Sequence, residues 1–151
     1  MTGTASSTGG VDEALRAALG RLQGRLLTGV IQSVGVRRDA QAVPALAKHL
    51  GATDPEVAAA AAVALGRIGT PAAREPLVGA LGRVPAAAEG LLACAEAAVP
   101  TDACALYDRL RAAQVPSHVK MAAVRGAILS RGAEAGLPLL LEQLRSDDPA
   151  M

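Results

Sequence analysis

Aromatic side chains are almost missing from this chain of 151 residues. Tyr107 stands alone, with no Phe and no Trp, although 51% of the sequence is hydrophobic. The core must therefore be assembled from Ala, Leu, Val and Ile. Such residues suit closely spaced helices, while the aromatic and β-branched set that favours strands is thin. This absence predicts an all-α fold. Cysteine is equally sparse: Cys94 and Cys104 are too few for a disulfide scaffold and lack the C-x-x-C spacing of zinc or thioredoxin-type sites, so both read as structural thiols. No apolar run is long either. Uncharged stretches such as 26–36 and 57–66 fall well short of the roughly 18 apolar residues a membrane-spanning helix needs. The opening ten residues have neither the basic start nor the apolar segment of a secretory signal. They read as a disordered leader or a truncation scar, which makes the chain cytoplasmic by default, with export left open for a longer parent protein.

A dominant charge is also missing. The net charge is +1, so nothing in it calls for a polyanion or an acidic substrate. The signs do separate locally. Arg16, Arg21, Arg25, Arg37, Arg38 and Lys48 face only Asp39 between residues 16 and 48, and Glu134, Glu142, Asp147 and Asp148 make the tail acidic. Solvated helix faces explain this, and end-to-end packing against missing neighbours is compatible with it. Arg37 and Arg38, beside the Asp39 cap, read as ion-pair partners rather than a phosphate site.

Catalytic signatures are absent. Neither Lys48 nor Lys120 follows a glycine, so no P-loop exists, and no G-x-G-x-x-G, G-x-S-x-G or H-E-x-x-H occurs. His49 and His118 read as solvent-facing, with His118 a candidate for touching a partner. Tyr107 reads as a core or edge residue with its hydroxyl reaching solvent. One aromatic cannot supply the stacking row that single-stranded nucleic acid needs. No catalytic residue, cofactor site or metal site is assigned: the chain reads as a non-enzyme.

What is present is a repeat. The segment VPALAKHLGATDPEV, from Val43, returns as LPLLLEQLRSDDPAM, from Leu137, pairing Pro44 with Pro138, Leu46 with Leu140, Leu50 with Leu144, Asp54 with Asp148 and Pro55 with Pro149. The offset is three units of about 31 residues, within the range of stacked helix pairs. PSHVKMAAVRGAILSRG, from Pro116, echoes DPEVAAAAAVALGRIG, and LLTGVIQSVG, ending at Gly35, takes the place of AAAVALGRIG, ending at Gly69. The chain is thus expected to form an α-solenoid of stacked antiparallel helix pairs. About nine helices are predicted, over 11–22, 24–35, 39–50, 54–68, 71–82, 85–98, 102–113, 117–131 and 134–145, giving four to five repeats.

Local chemistry sets these boundaries. Asp54 is placed to cap orphan N–H groups ahead of Pro55, a residue that needs no donor at the first helical position. Thr70 and Pro71 repeat the device. Gly51, Gly69 and Gly132 follow apolar runs, where a left-handed residue is expected. Within 54–68, Val57, Ala60, Ala61, Ala64, Leu65 and Ile68 recur at three- and four-residue steps as one buried stripe. Pro44, Pro76 and Pro138 stand near the starts of the other helix class, where a proline a turn inside bends the helix.

The segment DPEVAAAAAVALGRIGTPAAREPLVGAL resembles a HEAT repeat, in the short variant shared with phycobilin-lyase-type proteins and large bacterial multidomain proteins. The likeness is strong over Val43–Leu81 and weak over Val84–Ala113. It implies that the second helix of each pair lines a concave surface that binds protein. Relatives often carry charged residues where Ala58, Ala59, Ala62 and Val63 stand, so this helix looks apolar beyond its core stripe, either as a docking strip, as a surface covered by missing parts of the protein, or as one hidden in a tight superhelix. The candidate partner-binding residues are Ala59, Ala62, Val63, Arg67, Glu89, Glu96, Lys120, Arg125 and Arg131. The expected role is a protein-interaction scaffold within a larger protein, its partner another domain or a separate protein, without nucleic acid or membrane. A bilin-lyase-like small-molecule handler and a nucleic-acid binder are the alternatives. Residues 11–151 are expected to form the repeat domain, with 1–10 the leader. Because Asp148-Pro149 coincides with Asp54-Pro55, the chain is expected to be cut where a second helix begins. The last full helix, rich in Leu137, Leu139, Leu140, Leu141 and Leu144, would then lack its partner.

Overall fold

The computed structural model describes residues 5–146, and these residues hold eight α-helices and no strand. They are α1 (Ala5–Leu19), α2 (Gly24–Arg37), α3 (Val43–His49), α4 (Pro55–Ile68), α5 (Pro71–Ala80), α6 (Pro85–Ala97), α7 (Pro100–Ala112) and α8 (Ser117–Arg145). Helix α8 is broken at Gly132, whose backbone (φ 74°, ψ 178°) divides it into two arms. Those arms match the two last helices expected from sequence. At the other end α1 begins at Ala5 rather than residue 11, so 5–10 are helical; residues 1–4 lie outside the described part.

The chain is an all-α solenoid. Each odd-numbered helix packs on the even-numbered helix that follows, and the even ones, α2, α4 and α6, pack side by side in a row. The contact between α6 and α8 is much slighter. The repeat is visible in burial: Val57, Ala61 and Leu65 of α4 correspond to Ala87, Leu91 and Ala95 of α6 and to Val119, Ala123 and Ala127 of α8, and all nine are buried.

Helix ends follow the local chemistry with instructive departures. The Asp54 carboxylate accepts the Glu56 N–H at 2.9 Å, with Pro55 at the first helical position. Thr70 holds the extended backbone of a cap, but its Oγ is buried without a partner. Gly69 is left-handed (φ 68°) as expected, whereas Gly51 is not, because α3 ends in a tight turn in which the Gly51 N–H bonds the Lys48 carbonyl. Pro44 lacks the N–H that would bond the Ala40 carbonyl, and the residues ahead of α3, Ala40–Ala42, form a 3-10 turn instead. Asp39 caps that turn through the Gln41 N–H.

The match of Gly35 to Gly69 is corrected. Helix α2 runs on to Arg37 and closes on Arg38, which is left-handed at φ 52°. Arg38 is therefore the counterpart of Gly69, and Gly35 of Gly66. Gly35 serves helix contact instead of helix termination. A methyl group there would lie 2.8 Å from the Ala64 Cα, so its absence lets α2 and α4 touch.

Candidate functional site

Helix α4 keeps one strip open to solvent, because its other faces are taken by its pair partner and its neighbours in the row. On α4 the strip is Ala59, Val63 and Arg67, four residues apart, and everything else between Val57 and Ile68 is buried. On α6 Glu89 and Glu96 are exposed, and on the first arm of α8 His118, Lys120, Met121, Arg125 and Leu129 are exposed. Together they make up one face of the even-helix row, the face that the resemblance to HEAT repeats places on the inner, concave side.

The sequence-derived candidates divide on this geometry. Ala59, Val63, Arg67, Glu89, Glu96, Lys120 and Arg125 reach the surface. Ala62 does not. It is fully buried, as Ala58 nearly is, because α4 lies between α2 and α6 and its apolar excess is spent on those two contacts. The Ala62 carbonyl would lie 2.6 Å from a methyl group at Gly90. Of the readings the sequence leaves open, the tight superhelix explains these two residues. Arg131 is also redirected: its guanidinium pairs with Asp108 on α7 and bonds the Ala127 carbonyl at 3.0 Å, away from the inner face.

Charge on the inner face is mixed. Glu89 and His118 meet at 3.3 Å across α6 and α8 and are both largely exposed. Other ion pairs tie separate parts of the stack, Arg16 with Asp39, Arg37 with Asp12 and Arg74 with Asp102, while Arg111 pairs with Asp108 within α7. Asp12 lies just upstream of the basic stretch and answers Arg37, as an ion-pair reading of that arginine expects. His49 corrects another expectation. It is half-buried, and its Nε2 lies 3.1 Å from the Leu19 carbonyl, against one of the orphan acceptors at the end of α1.

The two thiols and the tyrosine sit in structural settings. Cys94 is buried with its Sγ 3.8 Å from the Gly66 carbonyl, and burial pushes its thiol above the ordinary value of 9.0. Cys104 lies 3.2 Å from the Ser130 hydroxyl. The Tyr107 ring is buried over Gly126, and burial, aided by the Glu96 carboxylate, pushes its hydroxyl above 10.0. Among the described residues no three His, Cys, Asp or Glu side chains gather in a metal-sized group, and no helix is long and apolar enough to cross a membrane.

A second surface is only partly legible in the sequence. An apolar groove of about 380 Å³ runs between the two arms of α8, bordered by Val124, Ile128, Leu129 and Leu140, and it shares Met121, Arg125 and Leu129 with the inner face. The leucines of the second arm stand out in the sequence as lacking a partner, whereas Met121, Ile128 and Leu129 do not. Their signal is the break at Gly132, which turns one arm back toward the other.

Stacked helical hairpins with an open inner strip define the class of α-solenoid repeat proteins. Within that class the pattern of HEAT repeats matches residues 13–98, more than half of the chain, and the protein belongs to the HEAT-repeat family. No curated protein matches it.

Proposed function

We propose that this chain is a non-catalytic scaffold whose inner face, built from Ala59, Val63 and Arg67 of α4, Glu89 and Glu96 of α6, and Lys120 and Arg125 of α8, binds protein. The observation that carries this reading is the single solvent strip of α4, on a helix otherwise enclosed. HEAT repeats commonly serve as protein-interaction scaffolds, and arginine is among the residue types enriched at binding hot spots. The mixed charge supports a protein partner over a polyanion, which would call for a one-signed basic stripe. The repeat is taken as the short HEAT variant that DPEVAAAAAVALGRIGTPAAREPLVGAL resembles.

The test is a paired substitution in the intact parent protein. Val63→Glu with Arg67→Glu should abolish association with the partner domain or protein and leave the melting temperature of the repeats unchanged. An association unaffected by both changes removes the inner face from consideration. Steep, salt-dependent retention on duplex DNA would transfer the role to nucleic acid.

A further inference from the structure

The repeat places residues of α3 and of α8 in equivalent positions with opposite fates. Leu46 and Leu50 are 0% and 6% exposed; Leu140 and Leu144, their counterparts in sequence, are 39% and 74% exposed. Val43 and Leu137 repeat the contrast at 5% and 54%. The difference is what lies on top. Helix α3 is covered by α4, whereas the second arm of α8 opens directly into the apolar groove. The far wall shows the same pattern: Val124 and Ile128 occupy the positions of Ala62 and Gly66, the residues through which α4 meets α6.

The groove therefore continues an interface already present twice within the fold, and both of its walls are shaped for a helix. We infer that it receives one further helix of the α4 kind, small-faced and opened by an Asp-Pro pair, carried by the polypeptide that follows residue 146 in a longer parent protein. The sequence supplies that opening: Asp148-Pro149 stands where Asp54-Pro55 stands three units earlier. The inference concerns the end of the stack and does not depend on which partner occupies the inner face.

Two experiments test it. The codons that follow Met151 in the parent gene should continue for a helix length with small apolar residues at the counterparts of Ala58, Ala61, Ala62 and Leu65; a stop codon, or a polar run there, overturns the inference. Independently, the full chain can be extended after Asp148 by a copy of residues 55–69. Its melting temperature should rise, and amide exchange over 137–144 should slow about tenfold. Leu140→Glu, at a position exposed without the extension, should cancel both effects while leaving the parent chain folded. An extended chain that melts and exchanges like the original overturns the proposal. So does a dimer of the original chain that Leu140→Glu dissociates, because the groove would then belong to a second copy.

Discussion

Gly66 on α4 and Gly90 on α6 meet backbone to backbone: a methyl group at Gly66 would lie 2.7 Å from the Gly90 Cα. No side chain intervenes there, so α4 and α6 touch backbone to backbone. The same device recurs between Gly35 and Ala64 one repeat earlier. Gly90→Ala should therefore destabilise the chain by about 3 kcal/mol, since the added carbon meets a backbone carbonyl that cannot swing aside. Gly79→Ala, in α5 with open space around it, should instead stabilise by about 0.5–1 kcal/mol. Urea denaturation of both variants checks the pair, and equal effects would remove the close-contact explanation.

Arg38 and Gly69 close equivalent helices in the same left-handed conformation, but only one of them is glycine. Arg38→Gly should raise stability by about 1 kcal/mol, and Gly69→Ala should lower it by about the same amount. Thermal melts would show the two shifts in opposite directions.

Adjacent residues of α4 should respond differently to one charge. Ala62→Glu buries an unpaired carboxylate against α6 and should cost about 3 kcal/mol or more. Val63→Glu, on the open strip, should stay within about 0.5 kcal/mol of the original. If Ala62→Glu folds as stably as Val63→Glu, α4 is not enclosed between its neighbours.

Thiol chemistry should follow burial. In the native chain iodoacetamide should modify Cys104 first and reach Cys94 only on unfolding. Alkali should also weaken the fold. Cys94 and Tyr107 hold their protons more tightly folded than unfolded, so their contribution is intact below the ordinary thiol value of 9.0 and is lost as pH rises through and above it. Cys94→Ala, which installs the residue found at the equivalent position 64, should remove the earlier part of this decline. A pH–stability curve of the variant that superimposes on the original would refute that assignment.

Much of this architecture is legible in the residues. Asp54 with Pro55, Gly69 and Gly132 mark helix ends by the chemistry they perform, and an aromatic-poor apolar half anticipates close helix packing. The departures are equally physical. Gly35 resembles a helix-ending glycine and is in fact a contact glycine, because spacing along one chain does not reveal which residue faces a neighbour. Ala58 and Ala62 resemble surplus surface as long as one buried stripe is assigned to one face, whereas α4 has neighbours on three sides. The inner-face charges follow from helix class alone. Arg131 escapes that rule because its side chain turns to Asp108 on α7, the helix packed against α8.

The glycine contacts also distribute stiffness along the stack. At Gly66 and Gly90 no side chain separates α4 from α6, and at Gly35 only the Ala64 methyl separates α2 from α4, so backbone contact opposes sliding of these three helices. The direct contact of α6 with α8 is slight, with α7 bridging the two, so this joint is where the row has least to resist bending. Strain applied by a bound partner would concentrate there, so the Glu89–His118 pair that spans the joint is where flexing of the solenoid would first be felt.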